Sequence, residues 1–588
     1  MPTILKRSLL NASRQGLTMV VFLALCASVS AKPNVVILLV DDAGFMDFGG
    51  YGGEASTPNI DQLANRGVRF SNYHTSPLCA TSRAMLLTGL DSHKTGMGTL
   101  PEVVTDKQKE SPAYALRLQP GIQTIASRLR DADYATFMTG KWHLGSGQGD
   151  LPDSHGFDRS FALDASGADN WEQKSFIPFY EKAPWFEDGE PANLPEDFYS
   201  SRFLVDKMLE YLETRDRNRP FFAYIAFQAI HIPVQAPREF TDNYIGVYED
   251  GWHITLERRF ERAKELGLIP RVAAIPELHP SLSSWDSLSQ EERVHYERSM
   301  MVNAGMLEAM DYHIGRLVTY LKSRNQLENT VFIITSDNGP EFGDPATNAV
   351  FRLWMRSNGY HTDPERAGEK GYMGAIGPEW ASAAAAPGSL FKMYASEGGT
   401  RVPMIITAPG LSAAGFNSAF SFVTDLAPTV VELAGISSPA DMDGRSLLPL
   451  LTGKASRVYG AEEPVGLEVA GNSALFKGSH KLTRNTLPHG DGQWRLYDLS
   501  RDPGEMQDLS AEWPDLRQEL LDDYEHYAAS VGVVALPLDF DINAQIDLNV
   551  RNQLISRYRP TIVGAILLVI LAVSSTLLFL RRRVRHAE

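Results

Sequence analysis

"NVVILLVDD", running from Asn34 to Asp42, places six unbroken apolar residues, Val35 to Val40, directly before two carboxylates. A β-branched run with no polar alternation fits a strand covered on both faces, the kind found inside an α/β sheet. The pattern returns at Ala135–Met138, at Phe221–Phe227 in "RPFFAYIAFQAIHIP", at Val331–Thr335 in "NTVFIITSDNG" and at Val402–Thr407 in "RVPMIITAPG". Helical stretches separate these runs. In "STPNIDQLANRG", Thr57 suits an N-cap, Pro58 the first helical position and Gly67 the stop. Glu291 to Arg324 reads as one long amphipathic helix. Strands alternating with helices predict an α/β fold, with a large mixed, mostly parallel sheet sandwiched by helices.

The polar residues gather just past these strands. Asp41 and Asp42 follow the first, Lys141 and His143 the second, His231 the third, and Asp337 and Asn338 the fourth. In open α/β sheets ligands bind in the crevice outside the carboxyl ends of the strands, so these groups are expected to converge. Asp41, Asp42, Asp337 and Asn338 offer only oxygen, a donor set suited to a hard cation such as Ca²⁺ or Mg²⁺. Neighbours on a strand point to opposite faces, so Asp41 and Asp42 can share an ion only if the strand has ended. Taken singly, "DD" and "DNG" are ordinary turn or cap sequences; placing each after a buried strand is what gives them weight.

The 588-residue chain is 43% hydrophobic with a formal charge of -17, which argues against a nucleic-acid partner. Residues 1–31 read as a signal peptide: Lys6, Arg7 and Arg14 precede an apolar run that ends in small residues. Residues 32–452 form the expected catalytic α/β domain. Residues 453–535 form a small C-terminal α+β subdomain with an antiparallel sheet, from "HKLTRN", "WRLYDLSRDPGEMQDLS" and a helix near Trp513 to Ala529. Residues 536–560 read as a linker and 561–580, "TIVGAILLVILAVSSTLLFL", as a single transmembrane helix. The basic tail 581–588 reads as cytoplasmic. On this reading the protein is exported and anchored in the inner membrane, with its catalytic domain in the periplasm. Losing the signal removes Cys26 and leaves Cys79 as the sole cysteine, one helical turn before Arg83.

"TSPLCATSRAMLLTGLDSHKTGMG", "TGKWHLG", "FQAIHIPVQAPREF", "SDNGPE", "SLFKMYASEGGTRVP" and "LYDLSRDPGE" together resemble the type I sulfatases of the alkaline phosphatase superfamily, nearest the bacterial arylsulfatases. The resemblance implies that Cys79 is oxidised to formylglycine by a formylglycine-generating or other sulfatase-modifying enzyme. It implies that Asp41, Asp42, residue 79, Asp337 and Asn338 hold one Ca²⁺, and that Arg83 pins the aldehyde hydrate. Lys141 and Lys392 would bind sulfate oxygens, His143 would deprotonate the hydrate and His231 would protonate the leaving alcohol. The expected substrate is an aryl or carbohydrate sulfate ester. The family's usual Cys-x-Pro-x-Arg here reads Cys79-Ala80-Thr81-Ser82-Arg83, so the peptide offered for modification lacks proline's fixed φ. A phosphonate or phosphate ester hydrolase and an unmodified, non-catalytic sulfate-ester binder stand as alternatives. Trp171, Trp185, Phe186, Trp354, Tyr360 and Trp380 are candidates either to stack on a substrate ring or to fill the core.

Overall fold

The computed structural model describes residues 32–585, apart from 148, 412–413 and 438–439. Its main sheet has ten strands: β1 (Asn34–Val40), β2 (Val68–Phe70), β3 (Ala135–Lys141), β4 (Arg159–Leu163), β5 (Trp185–Glu187), β6 (Glu190–Pro191), β7 (Phe221–Ala226), β8 (Thr330–Ser336), β9 (Met404–Thr407) and β10 (Gly415–Asn417). In space they run β10-β2-β9-β8-β1-β7-β3-β4-β5-β6. The centre is parallel, β1 pairing with β7 and β8, and β3 with β7 and β4. Strand β9 runs antiparallel to both its neighbours, and β5 and β6 close the far edge antiparallel. The expected start at Val402 shifts to Met404, since Pro403 has no amide proton for a ladder.

β1 shows why its run is apolar throughout. Val36, Leu38 and Val40 enter the core on one face, while Val35, Ile37 and Leu39 enter the core on the other, all fully buried. Each such side chain contributes roughly 1.5–3 kcal/mol relative to exposure. On the first face lies α3 (Gln290–Ser323), opened by a Ser289–Glu292 capping box and packed through Met300, Leu307 and Met310. On the second lies α2 (Cys79–Thr88), packed through Ala80, Ala84 and Leu87. Helix α1 (Pro58–Ala64) departs from its expected cap. The Thr57 hydroxyl turns away to accept from Gly49 N at 2.9 Å, and the Asp311 carboxylate of α3 takes the Asn59 and Ile60 amides at 3.1 and 2.7 Å.

A four-stranded antiparallel sheet follows: β11 (Pro464–Val469), β12 (Asn472–Lys477), β13 (His480–Arg484) and β14 (Arg495–Asp498). One face packs on α4 (Pro514–Val531) through Leu475, Leu482 and Leu496 against Leu520 and Tyr524. The other sends Leu467, Val469 and Phe476 into the core beneath α2.

The expected membrane anchor is corrected. Residues 561–580 are not a separate span but belong to α5 (Ile542–Arg585), whose first half carries Asp547, Asn549, Arg551, Arg557 and Arg559. Among the described residues no helix is long and apolar enough to cross a membrane. The inner-membrane location that depended on this helix falls with it. The expected signal peptide, 1–31, lies outside the described residues. The start of α5 packs on the body: Asn549 Nδ2 donates to Glu102 O and Val104 O, and Arg557 to Pro178 O and Phe179 O.

Candidate active site

Strand β1 stops at Val40 and the backbone breaks there. Asp41 N donates to Ala229 O at 2.8 Å, and Asp42 adopts a left-handed φ of 67°. Such a conformation is uncommon for a residue other than glycine, though Asp is among those that tolerate it best. Asp42 N donates to Asp337 Oδ1 (3.2 Å) and Ala43 N to Ser336 Oγ (2.8 Å), which pins the break against β8. Both carboxylates now face one side, and Asp41, Asp42 and Asp337 bring oxygens within 4.8 Å of one another.

Cys79 opens α2 and is 1% exposed. Its Sγ lies within 4.8 Å of an Asp41 oxygen and a His231 nitrogen. Burial pushes its thiol up to about 12, with Lys141 and Lys392 pulling the other way. One turn on, Arg83 is fully buried. Its Nε and Nη2 donate to Asp337 Oδ2 at 2.9 and 2.7 Å, and its Nη1 donates to Lys141 O at 2.7 Å. Lys141 ends β3 and donates to both oxygens of Asp41, at 2.9 and 2.7 Å. Gly140, at φ 105°, lets β3 make this approach: a Cβ there would stand 1.8 Å from Ala226 O. Lys392 Nζ donates to Asp42 (2.9 Å) and to Glu341 Oε2 (2.8 Å).

The two histidines differ. His231 Nδ1 donates to Ile232 O at 2.6 Å, which leaves Nε2 facing Asp42 and Glu341 at 3.7 and 3.9 Å. Both ring nitrogens of His143 are buried with no partner among the described residues. Burial, then the neighbouring lysines, holds both imidazoles well below their ordinary pKa. The carboxylates divide as well. Burial pushes Asp41 up to about 6 against the pull of Lys141. For Asp337, burial also acts upward, but Arg83 and Lys141 outweigh it and hold the carboxyl below its usual range.

The donor set fits a hard cation. Three carboxylates meet, and Asn338 Oδ1 is buried with no partner among the described residues while its Nδ2 donates to Asp42 Oδ1 at 2.6 Å. An orphaned amide oxygen beside three carboxylates is a ligand set for Ca²⁺ or Mg²⁺.

The residues named from sequence as catalytic or metal-binding therefore gather in one cluster, of which Cys79, His231 and Lys392 line a pocket. Sequence reasoning passed over two that belong with them. Glu341, the partner of Lys392, lies inside the quoted "SDNGPE", where a carboxylate three residues past the Asp-Asn pair was a usable signal. Ser336 binds backbone on both sides of the cluster, accepting from Ala43 N and donating to Asn338 O at 2.8 Å, and nothing in its local sequence distinguishes it. The pocket above the floor holds about 450 Å³. Its aromatic wall is Phe176, Phe342 and Phe351. None of the six aromatics proposed from sequence lines it; Trp185 and Trp380 fill the core.

The model of the sulfatase family matches residues 33–436, and that of the N-sulphoglucosamine sulphohydrolase C-terminal region matches 388–526. An uncharacterized sulfatase of Schizosaccharomyces pombe is 35% identical over 87% of this chain and 96% of its own. An arylsulfatase of Klebsiella aerogenes is 34% identical over 72% and 91%. Among solved structures, the complex of Ps i-CgsB with k-i-k-neocarrahexaose superposes with a TM-score of 0.61 at 22% identity, covering 90% of this chain and 99% of that one. At that identity the likeness speaks for the fold alone.

Proposed function

The chain belongs to the sulfatase family and is a sulfuric ester hydrolase, and we propose that it acts through a formylglycine at position 79 beside one Ca²⁺. The observation that carries this reading is the meeting of Cys79, Arg83, three carboxylates and the orphaned Asn338 oxygen at the ends of β1 and β8.

Converted to formylglycine and hydrated by one water, residue 79 would supply two geminal hydroxyls, one to attack sulfur and one whose deprotonation would expel sulfate and restore the aldehyde. Asp41, Asp42, Asp337 and Asn338 would hold the cation, which would lower the pKa of the attacking hydroxyl and polarise a sulfate oxygen. The chain's own groups do the rest. Arg83, anchored on Asp337 and Lys141 O, fixes residue 79 at the head of α2. Lys141 and Lys392 each keep donors near the floor that are able to turn from carboxylate to sulfate oxygen. His143, with no hydrogen-bond partner among the described residues, would take a proton from the hydrate once sulfate charge beside it offsets the effect of burial. His231 holds Nδ1–H on Ile232 O, so its Nε2 faces the leaving oxygen. An anionic ester beside Nε2 opposes the effect of burial and favours the imidazolium needed to protonate that oxygen.

The test is hydrolysis of 4-nitrophenyl sulfate and of bis(4-nitrophenyl) phosphate, before and after chelation and with Ca²⁺ restored. The reading requires the sulfate to turn over faster, with activity lost on chelation and regained with Ca²⁺. A faster phosphate diester, or a rate indifferent to the metal, would sink it.

A further inference from the structure

The wall of the pocket carries a charge pattern that the sulfate chemistry does not use. Glu102 lies on it and is 5% exposed. Its Oε1 accepts from Ser166 Oγ at 3.0 Å and from Tyr180 OH at 2.8 Å, two hydroxyls that fix its rotamer. Its Oε2 is buried and has no partner among the described residues. A buried carboxylate oxygen left without a donor is costly to keep, and in a binding pocket it marks a place where the ligand supplies one. The surroundings agree in sign. Asp344 and Asp547 also line this pocket, and among its described lining residues the only lysine or arginine is Lys392, already paired with Asp42 and Glu341 on the floor. Burial keeps His489, on the same wall, down at about 4 and so uncharged. Leu100, Val103, Phe176 and Phe351 supply the remaining surface.

Resting on the hydrolase reading above, we propose that Glu102 determines specificity. The alcohol half of the ester presents an O–H or N–H donor to Glu102 Oε2, lays an apolar face on Phe176 and Phe351, and carries no second anion. Polysulfated and carboxylated esters would meet acidic walls with no cation to receive them. A site built around a hydrogen bond to its ligand discriminates strongly against analogues that lack the donor.

Four aryl sulfates of one skeleton test this, with an aminoethyl, hydroxyethyl, ethyl or carboxyethyl group para to the sulfate. In the wild type, kcat/KM is expected to be higher by about 10-fold or more for the two donor-bearing esters than for the ethyl ester, and lowest for the carboxyethyl ester. In Glu102→Gln the donor-to-ethyl ratio should shrink several-fold and the handicap of the carboxyethyl ester should lessen. Ratios within one preparation do not depend on how much of the variant folds. Wild-type ratios near one, or ratios unchanged by Glu102→Gln, would overturn the assignment to Glu102 and leave the hydrolase reading standing. No turnover of any of the four by the wild type would overturn the hydrolase reading itself.

Discussion

Arg83 joins three parts of the site at once. Its guanidinium spans the Asp337 carboxylate of the β8 end and the Lys141 carbonyl of the β3 end, while its backbone belongs to the helix that begins with Cys79. Lysine keeps the charge but not the fork, and cannot reach both acceptors. Arg83→Lys is therefore expected to lower kcat for 4-nitrophenyl sulfate by on the order of 10²-fold or more and to cost about 1–3 kcal/mol of stability, read from the urea midpoint. A variant with wild-type kcat would remove Arg83 from its assigned place. At this scale most of the floor was legible in the sequence. Asp41, Asp42, Asp337 and Asn338 stand out because a polar pair directly after a buried apolar run has few structural reasons to exist. Glu102 was not, because it lies in a loop whose local pattern is ordinary, and Glu341 was passed over although its place three residues past the Asp-Asn pair offered a signal. Their meaning comes from partners 51 or more positions away, Lys392 for Glu341 and Ser166 and Tyr180 for Glu102.

Between elements, a buried ion triad links the body to the C-terminal sheet. His93, just past α2, holds Asp91 on Nδ1 at 3.0 Å and Glu468 of β11 on Nε2 at 2.9 Å. Burial alone would lower the His93 pKa, but the two carboxylates outweigh it and raise it from 6.5 to about 10. The folded state thus keeps a proton that the unfolded chain releases. The resulting stability is complete below about pH 6.5 and disappears as pH climbs through about 10, with an upper bound of about 5 kcal/mol. Urea midpoints should fall between pH 6.5 and 10, and the fall should be smaller in His93→Gln; an equal fall in both would exclude the triad as its source. The elements themselves were unequally readable. The central strands announce themselves because both their faces are buried. β11 and β12 were missed because their apolar residues mix with Gly466, Glu468, Asn472 and Ser473. An apolar run that looked like a bilayer span proved continuous with a long helix whose polar start packs beside Glu102.

Across the whole molecule, the C-terminal sheet joins the segment that follows Lys392 through Glu397, which opens a short helix there. Glu397 takes Lys481 of β13 at 2.9 Å and His74 at 3.1 Å, and Lys481 also meets Glu505 at 2.9 Å; all these side chains are buried. Lys481→Met leaves two carboxylates facing each other without their cation. It should cost about 3–5 kcal/mol and lower activity by loosening the Lys392 segment. Thermal midpoints together with kcat would show it, and a fully active, fully stable variant would separate the C-terminal sheet from the site. The proposed function concerns the cluster at the strand ends, whose oxygen donors would hold a cation beside residue 79 and so make that residue the sulfate-cleaving group. Its most direct test measures sulfate released from 4-nitrophenyl sulfate alongside the mass of the peptide carrying residue 79, for wild type and Cys79→Ala made with a sulfatase-modifying enzyme. Activity that tracks the fraction of wild-type peptide in the aldehyde form, and is absent in Cys79→Ala, is the predicted result. An intact thiol in fully active protein, or equal turnover by Cys79→Ala, would contradict it.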